Sequence, residues 1–392
     1  MGRFKLSFWK VVLGLVLLAG ASATFLRFTQ GLGASTHLSD AFPWGLWIGF
    51  DVLCGVMLAA GGFTLTATVY IFNLKKFKPI VRPTVLTAFM GYLLVVVALL
   101  FDLGRGYRIW HPLVMWNPRS VMFEVAWCVT LYTTVLALEF APIVFERLNL
   151  EKLLRIQRAI SIPLVIAGVM LSTLHQSSLG SLYLIVPDKL HPFWYSPLLP
   201  LLFFVSAICV GLAMTIFESS MSARHFGKQL EMDLLIRLGR ALLVALIVYS
   251  VLRFQDLADR GALKLVLKGG YETGLFLLEI TLGLILPIIL LVFPRVRESA
   301  GGLYLASIFV VLGFVTNRMN VAITGMEASS GVHYFPKWTE WAVTASIVGA
   351  GFALFALAVK YLPIFPAAEP AHRAVQPALP KEEALELTHA SP

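Results

Sequence analysis

Apolar runs of about twenty residues, nearly free of charge, recur at near-regular intervals along the whole chain, and that length is what a helix needs to cross a bilayer. Ten such runs are legible, near 8–27, 44–72, 83–103, 120–145, 156–176, 198–220, 235–255, 272–293, 301–319 and 339–361. The 392 residues are 58% hydrophobic and 14% charged, with mean hydropathy +0.81. A soluble domain carries about 25% charged residues, so the pattern predicts an all-α, polytopic integral membrane protein. The net charge of +9 is not a nucleic-acid signal, because the basic residues sit in short loops between apolar runs.

About two thirds of the 31 lysines and arginines fall on the N-terminus, the loops after even-numbered runs and the C-terminal tail. By the positive-inside rule both termini are then expected in the cytoplasm. Trp44, Trp47, Trp110, Trp116, Trp194 and Trp338 gather near the opposite, outer ends, where amphipathic rings favour the interface. The first run, with Lys5, Lys10 and Ala21-Ser22-Ala23, imitates a signal peptide, but a multi-spanning chain is expected to retain it. The membrane domain is expected over 1–365, and the Ala-, Pro- and charge-rich segment 366–392 as a disordered cytoplasmic tail.

Ionisable groups inside lipid cost about 2.5–3.5 kcal/mol each on insertion scales, so each calls for a function or a partner. Asp102, Glu124, His175, Gln176, Arg253, Asp256 and Arg318 fall near the outer ends of their runs. Asp51 and Glu279 lie about 10 Å deeper at 1.5 Å per residue, and Glu139 and Glu218 lie toward the cytoplasm. Glu124, more than one turn inside its run, and His175 are the strongest functional candidates. Arg253 and Arg318 are equally explained by interfacial ion pairs.

Glu124 and Glu139 share one helical face about 22 Å apart, so Cys128, Tyr132, waters and neighbouring carboxylates would have to bridge them. Cys54, Cys128 and Cys209 show no metal or disulfide spacing. No metal site, Walker A motif or dinucleotide fingerprint is present. A b-type haem held by paired histidines finds no pair at midplane among the eight.

The combination of PWGLWIGFD at 43–51, DLGR at 102–105, SVMFE at 120–124, LEFAP at 138–142 with FERL at 145–148, LHQSSLGS at 174–181, His191-Pro192, IFE at 216–218, LRF at 252–254 and YFPKW at 334–338 resembles the NrfD/PsrC-type membrane subunits of respiratory complexes. Within that family it is most similar to the HybB-type subunits of [NiFe] hydrogenases. The resemblance implies two four-helix bundles, runs 2–5 and 6–9. It also implies a haem-free, quinone-reactive subunit that holds no covalent cofactor and is not an enzyme by itself. Menaquinone or ubiquinone would be the diffusible substrate. A ferredoxin-like iron–sulfur subunit and the [NiFe] hydrogenase large and small subunits would be the partners, with no nucleic acid.

On that reading Asp102, Glu124, His175, Gln176 and Arg253 are expected to bind the quinone, Arg253 stabilising charge on its oxygen. Asp51, Glu124, Glu139 and Glu218 would form a proton pathway from the cytoplasm. The alternatives are a secondary transporter, for which an inverted repeat is expected and none is evident, a passive anchor, or the same subunit of another reductase, such as a polysulfide or nitrite reductase.

Overall fold

The computed structural model describes residues 8–71, 73–186, 190–226 and 230–364; the expected tail over 366–392 lies outside them. Ten helices are long and apolar enough to cross a membrane: α1 (Phe8–Gln30), α2 (Trp47–Ile71), α3 (Ile80–Asp102), α4 (Val121–Arg147), α5 (Glu151–Ile185), α6 (Leu199–His225), α7 (Met232–Asp259), α8 (Tyr271–Val292), α9 (Ala300–Ser330) and α10 (Trp338–Tyr361). With the backbone paired inside each helix, no polar main-chain group is left facing lipid.

The helices close into two rings. In the first, α2 packs on α3, α3 on α4, α4 on α5 and α5 on α2; in the second, α6, α7, α8 and α9 do the same. The two expected four-helix bundles are therefore present. They meet where α2 crosses α6 and α9, while α1 and α10 form a pair set against α3.

Glycine makes the tightest crossings possible. A Cβ at Gly211 of α6 would lie 2.9 Å from the backbone of Ala60 in α2, and one at Gly313 of α9 would lie 2.1 Å from Gly283 of α8. Only hydrogen fits at such contacts, which is how membrane helices bring backbones together without a hydrophobic driving force. Among the described residues four wide, π-type stretches interrupt the regular winding: Ala67–Ile71 at the C-terminal end of α2, Trp47–Cys54 in α2, Thr281–Ile285 in α8 and Asn320–Thr324 in α9. Each of the last three adjoins a buried charge, Asp51, Glu279 or Arg318, and π-bulges concentrate at such special positions.

The charges of the second bundle have a structural task. The connector between α5 and α6, residues 190–198, folds into the distal end of the bundle, the end opposite the N-terminus. Arg253 donates to Phe193 O at 2.7 Å, and Arg260 to Pro192 O at 2.8 Å. Asp256 accepts from Ser196 at 2.8 Å and holds Arg260. Glu279 accepts from Trp194 Nε1 at 2.9 Å, Asn320 at 2.8 Å and Asn317 at 3.2 Å, and lies 3.7 Å from Arg253. Within the connector His191 Nδ1 accepts from Phe193 N–H at 3.2 Å. Partial burial lowers its pKa, in keeping with a neutral ring. Trp47 and Trp194 are fully buried; they serve these packing contacts rather than the lipid interface expected from their positions.

Two outcomes follow. Gly313→Ala should destabilise the detergent-solubilised protein by about 1–3 kcal/mol through overpacking, whereas Gly14→Ala, which faces open space, should not; thermal unfolding of the two variants decides it. Glu279→Ala should cost about 3–5 kcal/mol, because it leaves Arg253 buried without a counter-charge; an unchanged unfolding midpoint would contradict the clamp.

Candidate functional site

The groups that depth along the sequence joins into one outer cluster do lie at one end of the molecule, but they separate sideways into three sets. Arg253 belongs to the connector clamp of the second bundle, away from Glu124 and His175: its Nη2 donates to Phe193 O, while its Nε is buried and unbonded. Asp51 and Asp102 face away from the first bundle's interior. Asp51 accepts from Thr344 of α10 at 2.7 Å, and Asp102 sits beside Arg27 of α1. Glu124, His175 and Gln176 remain together, on α4 and α5.

Glu124 lies in the first turn of α4, whose N-cap Ser120 accepts the Phe123 N–H at 3.4 Å. It is an exposed carboxylate and not the buried one that its sequence position suggested, because the helix begins at Val121 and the preceding loop turns away. A carboxylate there is favoured by the partial positive charge of the helix N-terminus. It accepts a hydrogen bond from the Ser178 hydroxyl of α5. Ser178 and His175 are three residues apart and so share one face of α5. Beside Glu124, Trp116, Phe123 and Trp127 form a cluster of tilted rings, Trp116 to Trp127 at 5.1 Å, and Trp127 ties down the α3–α4 loop through Pro112 O at 2.8 Å.

Below Ser178 the interior of the first bundle is polar. His175 is fully buried, and neither ring nitrogen has a hydrogen-bond partner. The Tyr92 ring of α3 lies 5.6 Å from the imidazole and 4.7 Å, edge-on, from the Tyr132 ring of α4. The hydroxyls of Tyr92 and Tyr132 are buried beside them and close on the Ser172 hydroxyl, although none of the three makes a well-formed hydrogen bond. Gln176 is committed to Val56 O of α2 at 3.2 Å, which holds α5 against α2 rather than offering a free amide. Buried polar atoms without partners are uncommon, and a concentration of them on three facing helices is the mark of a place where other polar groups bind.

Deeper still, Glu139 of α4 adjoins Tyr132: a Cβ at Gly168 would lie 3.4 Å from Glu139 Oε1 and 4.0 Å from the Tyr132 ring. Glu218 of α6 points toward Thr87 of α3, and both its oxygens are buried and unbonded. The line of groups inside the first bundle is therefore His175, Tyr92, Tyr132 with Ser172, then Glu139. Sequence reasoning anticipated Tyr132 but missed Tyr92, Ser172 and Ser178, which look like ordinary helix residues until three helices are brought together. The one sequence signal for the two serines is that Ser172 and Ser178 flank His175 at three-residue spacing on one face of α5; Tyr92 carries none. Among the described residues no group of three or more histidine, cysteine and carboxylate side chains can hold a metal ion.

A family model described as "Polysulphide reductase, NrfD" matches residues 34–328. A protein of Nitratidesulfovibrio vulgaris is 40% identical, covering 90% of this chain and 93% of its own length. The "Probable Ni/Fe-hydrogenase 2 b-type cytochrome subunit" of Escherichia coli is 34% identical, covering 87% and 88%. The "Menaquinone reductase, integral membrane subunit" of N. vulgaris is 30% identical, covering 88% and 89%.

The name of the E. coli relative contradicts the expectation of a chain without haem, since a b-type cytochrome carries one. The histidine count had excluded only paired axial histidines, and haem iron is also held by one histidine or by other donors. Of the described histidines, His175 alone is fully buried with free ring nitrogens. His37 is bonded to Phe335 O at 2.6 Å, and His225 and His333 are exposed. The described histidines thus offer one imidazole to such a group and do not build a pair. The match over residues 34–328, with relatives of similar length aligned nearly end to end, shows that this chain belongs to the NrfD family of multi-pass integral membrane proteins.

Proposed function

We propose that this chain is the quinone-reactive membrane subunit of a respiratory uptake [NiFe] hydrogenase in the bacterial inner membrane. Electrons would come from a periplasmic iron–sulfur partner, and both termini would lie in the cytoplasm. The printed names of a hydrogenase subunit and a menaquinone reductase subunit among its relatives support the class of partner and substrate. The excess of Lys and Arg on the N-terminal side supports the orientation.

The observation that carries the site is the set of unbonded, buried donors in the first bundle, beside the Glu124–Ser178 hydrogen bond. A quinone presents two carbonyl oxygens and, once reduced, takes up two protons. An imidazole N–H and tyrosine and serine hydroxyls are the groups that such oxygens need. With the head group between α4 and α5, His175 donates to a carbonyl oxygen. Glu124, joined to water at the distal face and to Ser178 inside, delivers or receives the proton.

On this reading the second proton route enters from the opposite face. Glu218 and Glu139 lead to Tyr132, Ser172 and Tyr92, and thence to His175. Proton uptake through them would make quinone reduction electrogenic, since hydrogen oxidation releases its protons outside. Asp51, expected in this route, has no part in it, because its carboxyl faces α10.

Three measurements check the proposal. Affinity purification of the tagged chain should bring down an iron–sulfur subunit with hydrogenase subunits. Recovery of the chain alone would favour a transporter, and a different catalytic partner would make it the equivalent subunit of another reductase. In the purified complex, Glu124→Gln or His175→Gln should lower quinone reduction by about 10²-fold or more while hydrogen oxidation with a soluble acceptor is retained; equal quinone turnover would leave a passive anchor. In vesicles, Glu139→Gln should reduce the membrane potential generated per quinone reduced, and an unchanged potential at unchanged turnover would remove Glu139 from the route.

A further inference from the structure

Outside both bundles, α1, α2, α3 and α10 meet around three carboxylates and one guanidinium. Asp51 comes from the wide stretch of α2, Asp102 ends α3, Glu340 lies in the first turn of α10 and Arg27 in the last turn of α1. The wall around them is apolar, built from Ala23, Trp47, Ala98, Phe101, Val343 and Ile347.

Two of the four charged groups are fully engaged. Glu340, wholly buried, accepts from the His37 N–H at 3.1 Å, the Lys337 N–H at 2.9 Å and the Tyr334 hydroxyl. That hydroxyl in turn accepts from the Leu46 N–H at 2.8 Å. Arg27 spends its hydrogen bonds on the end of α3, with Nε to Phe101 O at 2.7 Å and Nη2 to Leu103 O at 2.8 Å. Such capping of free helix carbonyls by a cation is favourable in itself, and it leaves the neighbouring carboxylates without a direct bond from the guanidinium.

The other two groups are not engaged in the same way. Asp51 is buried and accepts one hydrogen bond, from Thr344, on Oδ2. Asp102 Oδ1 is buried and has no partner at all. Asp51 and Asp102 are placed on neighbouring helices, α2 and α3, where their charges repel through space, and Asp102 also feels Arg27 and Glu340. Cys54 and Tyr183 lie within electrostatic reach of the aspartates but more strongly of Arg318 of α9, a guanidinium that donates to Phe203 O and Ser206 of α6 and makes no ion pair with either aspartate. With all three carboxylates ionised against one guanidinium, the cluster would carry two uncompensated negative charges inside an apolar wall. Like charges so placed cannot both persist, and a metal ion has no adequate ligand group among the described residues. A proton is the remaining counter-charge, and Asp102 Oδ1, buried without a donor, marks a carboxyl that nothing nearby satisfies as an anion.

We propose that Asp51 and Asp102 form a proton-holding carboxyl pair beneath the α1–α10 clamp, separate from the Glu124–His175 site and exchanging with the distal aqueous face. The proton is carried as a carboxylic acid on one of the two aspartates, so that only the other is ionised. No electron or other atom moves. The pair lies at the same end of the molecule as the proposed quinone site but on the other side of α3, so it serves as a distal proton store whichever substrate the first bundle takes.

Infrared difference spectroscopy of the purified full chain in lipid nanodiscs, titrated from neutral to alkaline pH, tests this without any partner or quinone. The expected result is a protonated-carboxyl C=O band that shifts in D2O, disappears in both Asp51→Asn and Asp102→Asn, and persists in Glu124→Gln and Glu139→Gln. Thr344→Val, which removes only a hydroxyl, should shift the band without abolishing it, and it serves as the test should either aspartate variant fail to fold. A band that survives both Asp→Asn changes, the absence of any such band in the folded wild type, or a band unmoved by Thr344→Val would each overturn the proposal. Loss of quinone reduction in Glu124→Gln has no bearing on it, so the two readings fail separately.

Discussion

The Glu279 carboxylate is the interaction on which the distal half of the molecule depends. In lipid a buried ion is tolerated only when its charge and lone pairs are matched, and Glu279 is matched by Trp194, Asn317, Asn320 and Arg253. Through Trp194 and through Phe193, which Arg253 holds, it fixes the connector that follows α5. The placement of α5 against α2 and α4 follows from that anchor, together with the close backbone approach of Gly180 to Leu199, 2.6 Å from its would-be Cβ. The second bundle, on this account, positions the first.

The buried charges therefore do three different things at one end of the molecule. Those of the second bundle tie down a loop. Arg27 and Glu340 fasten α1 and α10 to α3 and to the α9–α10 connection, with Asp51 and Asp102 held beneath them. The interior of the first bundle is different in kind: the His175 ring nitrogens have no partner inside the protein, and two carboxylates, Glu124 at the open edge and Glu139 farther in, flank the Tyr92, Tyr132 and Ser172 hydroxyls. Arg253 Nε and the Glu218 oxygens of the second bundle are unbonded too, so the quinone is proposed for the first bundle because an imidazole, hydroxyls and an exposed carboxylate meet there.

The ten helices were legible because twenty apolar residues admit one solution in a bilayer, and the two bundles because the motif pattern resembles a family with that architecture. Depth was legible too, since 1.5 Å per residue converts position into height. Lateral position was not. Asp102, Glu124 and Arg253 have similar heights, with Asp51 deeper, and only ring closure by α5 on α2 and by α9 on α6 assigns them to different neighbours. For the same reason Glu124 looked buried when counted inward along an apolar run. The run begins before the helix does, and the first turn of α4 is open to the outside. Haem was misjudged on other grounds: the sequence argument considered only histidine pairs.

Photo-labelling with an azidoquinone is the most direct test of where the first bundle's unbonded groups lead. Applied to the purified complex and mapped by peptide sequencing, the label should fall on α4 and α5 around Glu124, His175 and Ser178 and should be displaced by unmodified quinone. Displaceable labelling confined to α7, α8 or α9 would place the substrate in the second bundle and contradict the account.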